Sequence, residues 1–173
     1  MFNLAYLSLG SNVGDREAHL RDALARLAAG GRVVAVSSFY ETEPVEFTRQ
    51  PWFLNCAVAL ETSRTPLQLI TMILRIEEEM GRRRMQKKGP RSIDIDILIF
   101  VNSEGEVTIK DSKELTIPHP TMHQRRFVLE PLAEIAPELL HPIFKKTIRE
   151  LRDALPEGQA VRKQKDRATN FTD

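Results

Sequence analysis

Two aspartates lie within residues 93–101 (IDIDILIFV), which form the clearest strand pattern in the sequence. Because side chains alternate along a strand, Asp94 and Asp96 point to one face, about 6.6 Å apart at ~3.3 Å per residue. Paired carboxylates can bind hard cations of the kind that assist phosphoryl transfer. An ordinary strand with a solvated face is the alternative, although two acids among aliphatic neighbours must be solvated, paired or bound to metal. On the opposite face the pattern places Ile93, Ile95, Ile97 and Ile99.

A cluster of six cations, with no acid among them, immediately precedes this strand at residues 82–91 (RRRMQKKGPR). The planar guanidinium of arginine binds phosphate oxygens in pairs, which makes Arg82, Arg84 and Arg91 candidates for neutralising a phosphate compound. Positioning and charge neutralisation are the main requirements of phosphoryl transfer. A solvated surface turn is the alternative interpretation of the same charges.

Other residues that could do chemistry give weaker signals. Residues 10–14 (GSNVG) follow a predicted strand, but they lack the spacing and the lysine of a phosphate-binding loop, so we interpret them as a structural turn. His119 and His123 are four residues apart, yet the neighbouring prolines disfavour a helical metal pair. A phosphate contact is therefore the better interpretation of His119. His19 and His141 are predicted to be surface residues.

A pocket for a flat polar heterocycle is one interpretation of Phe53 and Asn55, which lie on the same face of one predicted strand, together with Phe127. Aromatic residues more often belong to the core, so core packing stays open as the alternative. Cys56, on the opposite face from Asn55, is interpreted as a small core residue.

The elements that position these residues follow the order β-α-β-β-α-β. Strands are predicted over residues 3–9, 33–40, 53–60 and 93–101. Asp15 is the predicted N-cap of the first helix, and Thr65 with Gln68 forms a predicted capping box for the second. Apolar spacing over residues 144–155 predicts a late helix. The order predicts a ferredoxin-like α/β sandwich, an α+β fold with a mainly antiparallel sheet and helices covering it.

The 173 residues fit one domain, predicted over residues 1–158, followed by a loosely ordered tail at 159–173. One cysteine excludes an internal disulfide framework and a cysteine-based zinc site. A formal net charge of +1 argues against a nucleic-acid-binding protein. No apolar run approaches the ~20 residues of a membrane span, and the N-terminus lacks a secretory signal pattern. We therefore expect a cytoplasmic monomer without membrane association.

Six segments together resemble the 6-hydroxymethyl-7,8-dihydropterin pyrophosphokinase family of folate biosynthesis. The most characteristic is K-x-G-P-R-x-x-D-I-D-I-L at residues 87–98. The others, in the family's order, are SLGSNVGD at 8–15, SSFYETEP at 37–44, PWFLN at 51–55, RIEEEMGRRR at 75–84 and PHPTMHQRRFVLEPL at 118–132. The chain is too short for a fused dihydroneopterin aldolase or dihydropteroate synthase, so a single activity is expected.

The resemblance implies transfer of the β,γ-pyrophosphoryl group of ATP to the hydroxymethyl oxygen of the pterin, with AMP as the second product. It implies two Mg²⁺ ions bound by Asp94 and Asp96, and catalytic roles for these aspartates, Arg82 and Arg91. The implied ATP-binding residues are Glu77, Arg82, Arg84, Arg91, Ile97, Thr116, His119 and Arg125. The implied pterin-binding residues are Thr42, Val45, Phe53, Asn55, Asp94 and Phe127. The expected partners are these two small molecules, and no nucleic acid.

The basic segment is also expected to move. Its cations repel one another and it has almost nothing apolar to bury, so we predict that residues 82–91 form a mobile lid that orders over bound ATP. Glu43, Phe53 and Pro120 depart from residues found in some family members, which changes the expected loop behaviour and affinity but leaves the chemistry intact.

Two rival functions come from other classes. An RNA-binding module of ferredoxin-like fold would use the basic segment, but the sequence lacks the aromatic strand motif of that class and places acids where RNA would bind. A metal-dependent nuclease or nucleotidyltransferase would also use paired aspartates. Analysis of the reaction products distinguishes these alternatives.

Overall fold

An antiparallel sheet lies at the centre of the molecule in a computed structural model that describes residues 1–44, 49–81 and 92–164. The strands are β1 (Asn3–Ser11), β2 (Arg32–Val36), β3 (Tyr40–Thr42), β4 (Phe53–Thr62), β5 (Asp94–Val101), β6 (Lys110–Asp111), β7 (Thr116–Ile117) and β8 (Val161–Lys163). The order across the sheet is β5-β1-β4-β3-β8, with β2 also paired to β4, while β6 and β7 form a separate ribbon. All these pairings are antiparallel.

Helices cover both faces of the sheet. They are α1 (Arg16–Ala29), α2 (Pro66–Glu79), α3 (Arg126–Ile135) and α4 (Ile148–Asp153). The buried residues of α1 and α2 share one apolar cluster with Leu7, Leu9 and Ile95, whereas those of α3 and α4 share a second cluster with Leu98. Strand β4 lies between β1 and β2, and β1 lies between β4 and β5. The chain therefore forms two split β-α-β units that interlock. The predicted ferredoxin-like sandwich is confirmed.

Local sequence explains where the first two helices begin. The Asp15 carboxylate accepts a hydrogen bond from the backbone N–H of Ala18 at 3.1 Å, which satisfies an amide in the first turn of α1. Thr65 and Gln68 form the reciprocal capping box at the start of α2, with Pro66 in the first turn. Both predicted caps are confirmed. None of the helices in the described ranges is long and apolar enough to cross a membrane.

The alternation of β5 is interrupted by a β-bulge. Ile97 pairs with Leu7 and Ile99 pairs with Tyr6, so Leu98 is an extra residue between two consecutive positions of β1. An extra residue reverses the faces that follow it. Ile95 and Ile97 accordingly pack with α1 and α2, while Ile99 packs with α3 and α4. The prediction that Ile99 shares a face with Ile97 is wrong.

Two predicted elements differ in extent. The strand predicted over residues 33–40 is divided into β2 and β3 at Ser37. The Ser37 amide still donates to the Ala57 carbonyl at 2.9 Å, but the Ala57 amide donates to the Ser37 hydroxyl at 2.8 Å in place of the backbone, and that hydroxyl donates to the Ser38 carbonyl at 2.7 Å. The late helix is confined to α4, and Phe144 lies outside it, 44% exposed.

Two ordered elements were not expected. Helix α3 forms despite Pro131 in its interior, because Val128, Leu129 and Leu132 are buried against the sheet and outweigh the lost backbone hydrogen bond. The second is β8. Residues 159–164 were expected to belong to a loosely ordered tail, but residues 161–163 form β8, which pairs with β3. The rest of that tail, and the division into residues 1–158 and 159–173, stay predictions.

Candidate active site

A row of facing residues crosses the sheet beneath α3. Tyr40 of β3 is opposite Asn55 of β4, Asn55 is opposite Gly10 of β1, and Gly10 is opposite Asp94 of β5. Residues directly opposite in antiparallel strands have side chains on the same face, so Asn55 and Asp94 flank Gly10. Ala57, two residues along β4 from Asn55, packs in the α3 and α4 cluster, which identifies the face.

The Asn55 amide packs directly on Gly10, which has no side chain. A Cβ atom placed on Gly10 would lie 2.5 Å from Asn55 Nδ2 and 3.5 Å from Phe53 Cδ1. The first distance is shorter than real contacts of this kind, so any larger residue would displace the Asn55 amide. The glycine therefore allows Asn55 to lie flat against the sheet between Phe53 and Asp94.

The Asn55 amide is held in one orientation. The Thr42 hydroxyl donates a short hydrogen bond to Asn55 Oδ1, and Asn55 Nδ2 donates to the Leu9 carbonyl at 3.2 Å. Both side chains are buried. An amide has two N–H donors and two lone pairs on its oxygen, and these two bonds use one of each. The remaining pair could bind a ligand that presents an adjacent donor and acceptor.

Asp94 and Asp96 lie half-buried on the same face of β5, opposite Gly10 and Ser8 of β1. Their shared face was predicted from strand alternation and is confirmed. Between them, the Ile95 amide donates to Glu77 Oε2 at 2.9 Å, and Glu77 is only 3% exposed. Glu77 thus joins the last turns of α2 to the segment of β5 that carries both carboxylates.

A cleft of about 290 Å³ lies along the outer edge of β5. Asp96 and Ile97 line it from the strand, and Thr116 and His119 line it from the opposite side. The backbone amide of His119 donates to the Leu98 carbonyl at 2.9 Å, which holds the loop against the edge of the sheet. Three of the predicted ATP-binding residues therefore share one cleft with Asp96.

His119 is neutral at physiological pH. Burial and the nearby charge of Arg125 lower the pKa of His119 to about 4, and the carboxylate of Asp94 opposes this shift. Its Nδ1 accepts a hydrogen bond from the Thr121 amide at 3.2 Å, so the proton belongs on Nε2. His119 is consequently a neutral hydrogen-bond donor between an arginine and an aspartate.

The start of α3 brings an aromatic ring to the same region. The Arg125 guanidinium lies 5.5 Å from the centroid of the Phe127 ring, within the range of a cation–π contact. Phe127 is partly buried at the margin of the α3 and α4 cluster. Its backbone amide donates to Gln159 Oε1 at 3.2 Å. Arg125 therefore lies next to both Phe127 and His119.

Four predicted site residues, Val45, Arg82, Arg84 and Arg91, lie outside the described residues, as does the lid predicted for residues 82–91. The structure describes the other predicted residues. Thr42, Phe53, Asn55 and Asp94 are neighbours on the sheet beneath α3, and Asp96, Ile97, Thr116 and His119 line the edge cleft. Glu77 contacts β5 from α2, and Arg125 and Phe127 lie together at the start of α3.

The turn predicted at residues 10–14 begins only after Ser11. Gly10 and Ser11 belong to β1, and the turn that follows has Gly14 at a φ of +64°. Gly10 belongs to the candidate site. Its residue type was the only signal in the sequence, because glycine is disfavoured inside a regular strand. Gln159 was missed altogether, and Glu43 was noted only as a departure from other family members, because their contacts join segments more than a hundred residues apart.

His141 is not a surface residue. It is 1% exposed, and its Nδ1 accepts hydrogen bonds from the amides of Ile143 and Phe144. Burial and the neighbouring His123 lower its pKa to about 4. The ring is drawn inward because its Nδ1 accepts these two amides of the turn that follows His141.

The paired aspartates fit a magnesium site that is completed by a substrate. Within the described ranges, no group of three or more His, Cys, Asp or Glu residues is arranged to hold a metal ion. Mg²⁺ is usually bound by one or two carboxylates together with substrate phosphates and water. The carboxylate oxygens of Asp94 and Asp96 are ligands of this type, with Asp96 opening onto the edge cleft.

Comparison with known proteins gives consistent matches. Residues 6–137 match the model of the 7,8-dihydro-6-hydroxymethylpterin-pyrophosphokinase family. The 2-amino-4-hydroxy-6-hydroxymethyldihydropteridine pyrophosphokinase of Bacillus subtilis is 48% identical over 141 residues, covering 80% of this chain and 81% of its own. That of Methylorubrum extorquens is 48% identical over 148 residues, covering 84% of this chain and 89% of its own.

Longer proteins match over part of their length. The folic acid synthesis protein fol1 of Schizosaccharomyces pombe is 42% identical over 92% of this chain, which spans 21% of fol1. The crystal structure of Plasmodium falciparum HPPK-DHPS A437G with STZ-DHP aligns with 88% of this chain and 45% of its own, with a TM-score of 0.67 and 19% identity. At that identity the structural likeness supports the fold alone.

Proposed function

This chain belongs to the 7,8-dihydro-6-hydroxymethylpterin-pyrophosphokinase family and is a pyrophosphokinase of folate biosynthesis, and we propose that it transfers the β,γ-pyrophosphoryl group of ATP to the hydroxymethyl oxygen of the pterin. One observation supports this reaction: Asp94 and Asp96 share one face of β5, where Asp94 is opposite Gly10 in the row that contains Asn55 and Asp96 lines the cleft at the edge of the strand. A transfer between two substrates requires their reacting groups to be held together, and these carboxylates lie between the two proposed binding sites.

The face of the sheet around Asn55, beneath the first turn of α3, is the proposed pterin site. A pterin is a flat ring that presents donors and acceptors along one edge, and the fixed Asn55 amide offers the complementary pair. Phe53 lies beside Asn55 on the sheet and Phe127 lies in the first turn of α3, which supports stacking of the ring between aromatic side chains. Thr42 contributes by holding Asn55, and Val45 completes the proposed set.

The edge cleft is the proposed ATP site. Ile97 and Thr116 are placed to contact the adenine, and the neutral His119 and the cationic Arg125 to contact the phosphates. Arg82, Arg84 and Arg91 are proposed to neutralise the triphosphate, with residues 82–91 acting as the lid. Glu77 takes part indirectly, because its bond to the Ile95 amide fixes the strand between the two aspartates.

Asp94 and Asp96 are proposed to hold two Mg²⁺ ions against the phosphates. When bound, the metal neutralises phosphate charge and polarises the phosphorus for attack. The chain's own residues align the substrates: the pterin site directs the hydroxymethyl oxygen toward the β-phosphorus, and the ATP site holds AMP as the leaving group. The oxygen–phosphorus bond to the pterin forms as the bond between the β-phosphorus and the α,β-bridging oxygen breaks, and the hydroxyl proton is lost.

Analysis of the products tests this proposal. Incubation with magnesium, ATP and 6-hydroxymethyl-7,8-dihydropterin should yield AMP and a pterin diphosphate in equal amounts by mass spectrometry. A pterin with a methyl group in place of the hydroxymethyl group is the matched control, and it should release no AMP. Formation of ADP, or release of pyrophosphate with AMP left on an acceptor, would assign a different transferase reaction. The expected cytoplasmic location and monomeric state are part of the same proposal.

A further inference from the structure

We infer that Gln159, in the segment after α4, is a positioning residue that sets the spacing between the two walls of the pterin site. This inference rests on the proposed function for the location of that site. One wall is the sheet with Thr42 and Asn55, and the other is the start of α3 with Phe127. Gln159 contacts the backbone of both.

The Gln159 amide forms a hydrogen bond to each wall. Its Oε1 accepts from the Phe127 amide at 3.2 Å, and its Nε2 donates a short bond to the Glu43 carbonyl. Glu43 follows Thr42 directly, and Thr42 holds Asn55. A single side chain therefore links the aromatic residue of one wall to the amide-bearing strand of the other.

The bond to Phe127 supplies a contact that α3 does not provide for itself. The N-cap residue of α3, Arg125, makes no side-chain capping bond. The first amides of a helix have no partner within the helix and need one from outside. Gln159 Oε1 fills that role at the second residue of α3, so the position of the Phe127 backbone depends on a segment distant in sequence.

The backbone around Gln159 is itself anchored. The Glu43 amide donates to the Ala160 carbonyl at 3.0 Å, and the Ala160 amide donates to Glu43 Oε2 at 3.1 Å. Residues 161–163 then continue as β8 along β3. These bonds fix Gln159 on the sheet side. The Arg126 guanidinium also donates to the Leu155 and Pro156 carbonyls at 3.3 and 3.2 Å, but Gln159 is the residue that links the Phe127 backbone to the strand carrying Thr42.

The far end of α3 is held by a separate network. Glu134 accepts from the Tyr40 hydroxyl at 2.7 Å and from the Ser38 amide at 2.6 Å, and lies 3.3 Å from Lys163 Nζ. Burial raises the pKa of the Glu134 carboxyl, but these hydrogen bonds outweigh it and lower the pKa below its usual value. Because this network persists without Gln159, losing Gln159 should loosen the Phe127 end of the helix rather than detach α3 from the sheet.

The test compares Gln159→Ala with Gln159→Glu and with Gln164→Ala as the matched control on the same segment. Dissociation constants for the pterin and for an ATP analogue are measured separately by calorimetry on the full chain, with melting temperatures alongside. Loss of two hydrogen bonds should raise the pterin Kd by about 10-fold and leave the ATP Kd within about 2-fold. Gln159→Glu keeps an acceptor for the Phe127 amide but loses the donor to the Glu43 carbonyl. This variant should therefore fold, and its pterin Kd should rise by about 5-fold or more. Gln164→Ala should change neither constant.

A double-mutant cycle separates positioning from general support. If Gln159 acts through Phe127, adding Gln159→Ala to Phe127→Ala should weaken the pterin by no more than about 2-fold beyond Phe127→Ala alone. Unchanged pterin affinity in both Gln159 variants, or equal losses for pterin and ATP that follow the melting temperature, would overturn the inference and leave the proposed function standing. Absence of pterin binding by the unaltered chain would instead reject the proposed function.

Discussion

Replacing Gly10 with alanine tests whether the Asn55 amide above it binds the pterin. The new Cβ would lie 2.5 Å from Asn55 Nδ2, so the Asn55 amide must rotate or shift. The backbone of Gly10 is not in the left-handed region, which means that alanine is acceptable to the main chain. Any loss of stability or affinity therefore arises from the contact with Asn55.

The size of the effect follows from the bonds that Asn55 makes. Displacing its amide breaks the hydrogen bonds to Thr42 and to the Leu9 carbonyl, each with a net value of about 0.5–1.5 kcal/mol. Alanine in a strand recovers about 0.5–1 kcal/mol relative to glycine. Unfolding free energy should thus fall by about 1–2 kcal/mol. Pterin affinity should fall by about 10-fold or more, because the same amide is displaced from the ligand, while ATP binding is unchanged.

Urea denaturation and calorimetry with each ligand measure these quantities. The matched control is Gly158→Ala, since a Cβ there meets nothing within 4 Å. In an Asn55→Ala background, Gly10→Ala should no longer destabilise the protein, because the clashing amide is gone. Full pterin affinity in Gly10→Ala would refute the proposal that the Asn55 amide binds the pterin. A stability loss that persists without the Asn55 amide would refute the steric explanation.

Three further predictions concern separate parts of the molecule. Asp94→Ala and Asp96→Ala should each abolish turnover while far-UV circular dichroism and melting temperature stay near those of the unaltered chain; near-normal turnover at saturating magnesium contradicts the metal assignment. Phe127→Ala should weaken the pterin by about 1–3 kcal/mol in calorimetry and leave ATP unaffected, and equal losses for both ligands would place the ring outside the pterin site. Because the pKa of His141 is lowered to about 4, the unfolded chain takes up a proton near pH 6.5 that the folded chain refuses, and His141 should contribute about 3 kcal/mol to the fall in unfolding free energy between pH 6.5 and 4, in addition to the contribution of His119. That fall should shrink in His141→Asn, whose amide oxygen can accept the same backbone bonds, and an identical pH profile would show that His141 is not its source.

The parts of the fold that could be predicted depend on short-range signals. Asp15 and the Thr65–Gln68 pair act within one helical turn, and both cap their helices as expected. The strand that carries Asp94 and Asp96 was recognised because alternation is a local property. The order of strands and helices then left few topologies, and the interlocked split β-α-β arrangement is one that this order favours.

The parts that could not be predicted depend on contacts between distant segments. Pro131 argues locally against α3, and only the buried face of the helix reveals why it forms. The bulge at Leu98 has no glycine to mark it, because it is set by the pairing with β1. Gln159 is an ordinary polar residue in sequence and acquires its role only where β8 brings it beside Glu43 and Phe127.

The position of β5 supports the proposal that two aspartates serve two substrates. A strand this rich in isoleucine would suit the middle of a sheet, yet β5 is the last strand on its side of the described sheet. One edge of β5 pairs with β1 and so places Asp94 next to Gly10 and the proposed pterin site. The other edge is lined by the loop that carries His119, and the cleft between them reaches Asp96. Strand alternation puts both carboxylates on one face, and the edge position gives that face access to a second ligand. A central strand with the same sequence would have the paired carboxylates without the second cleft.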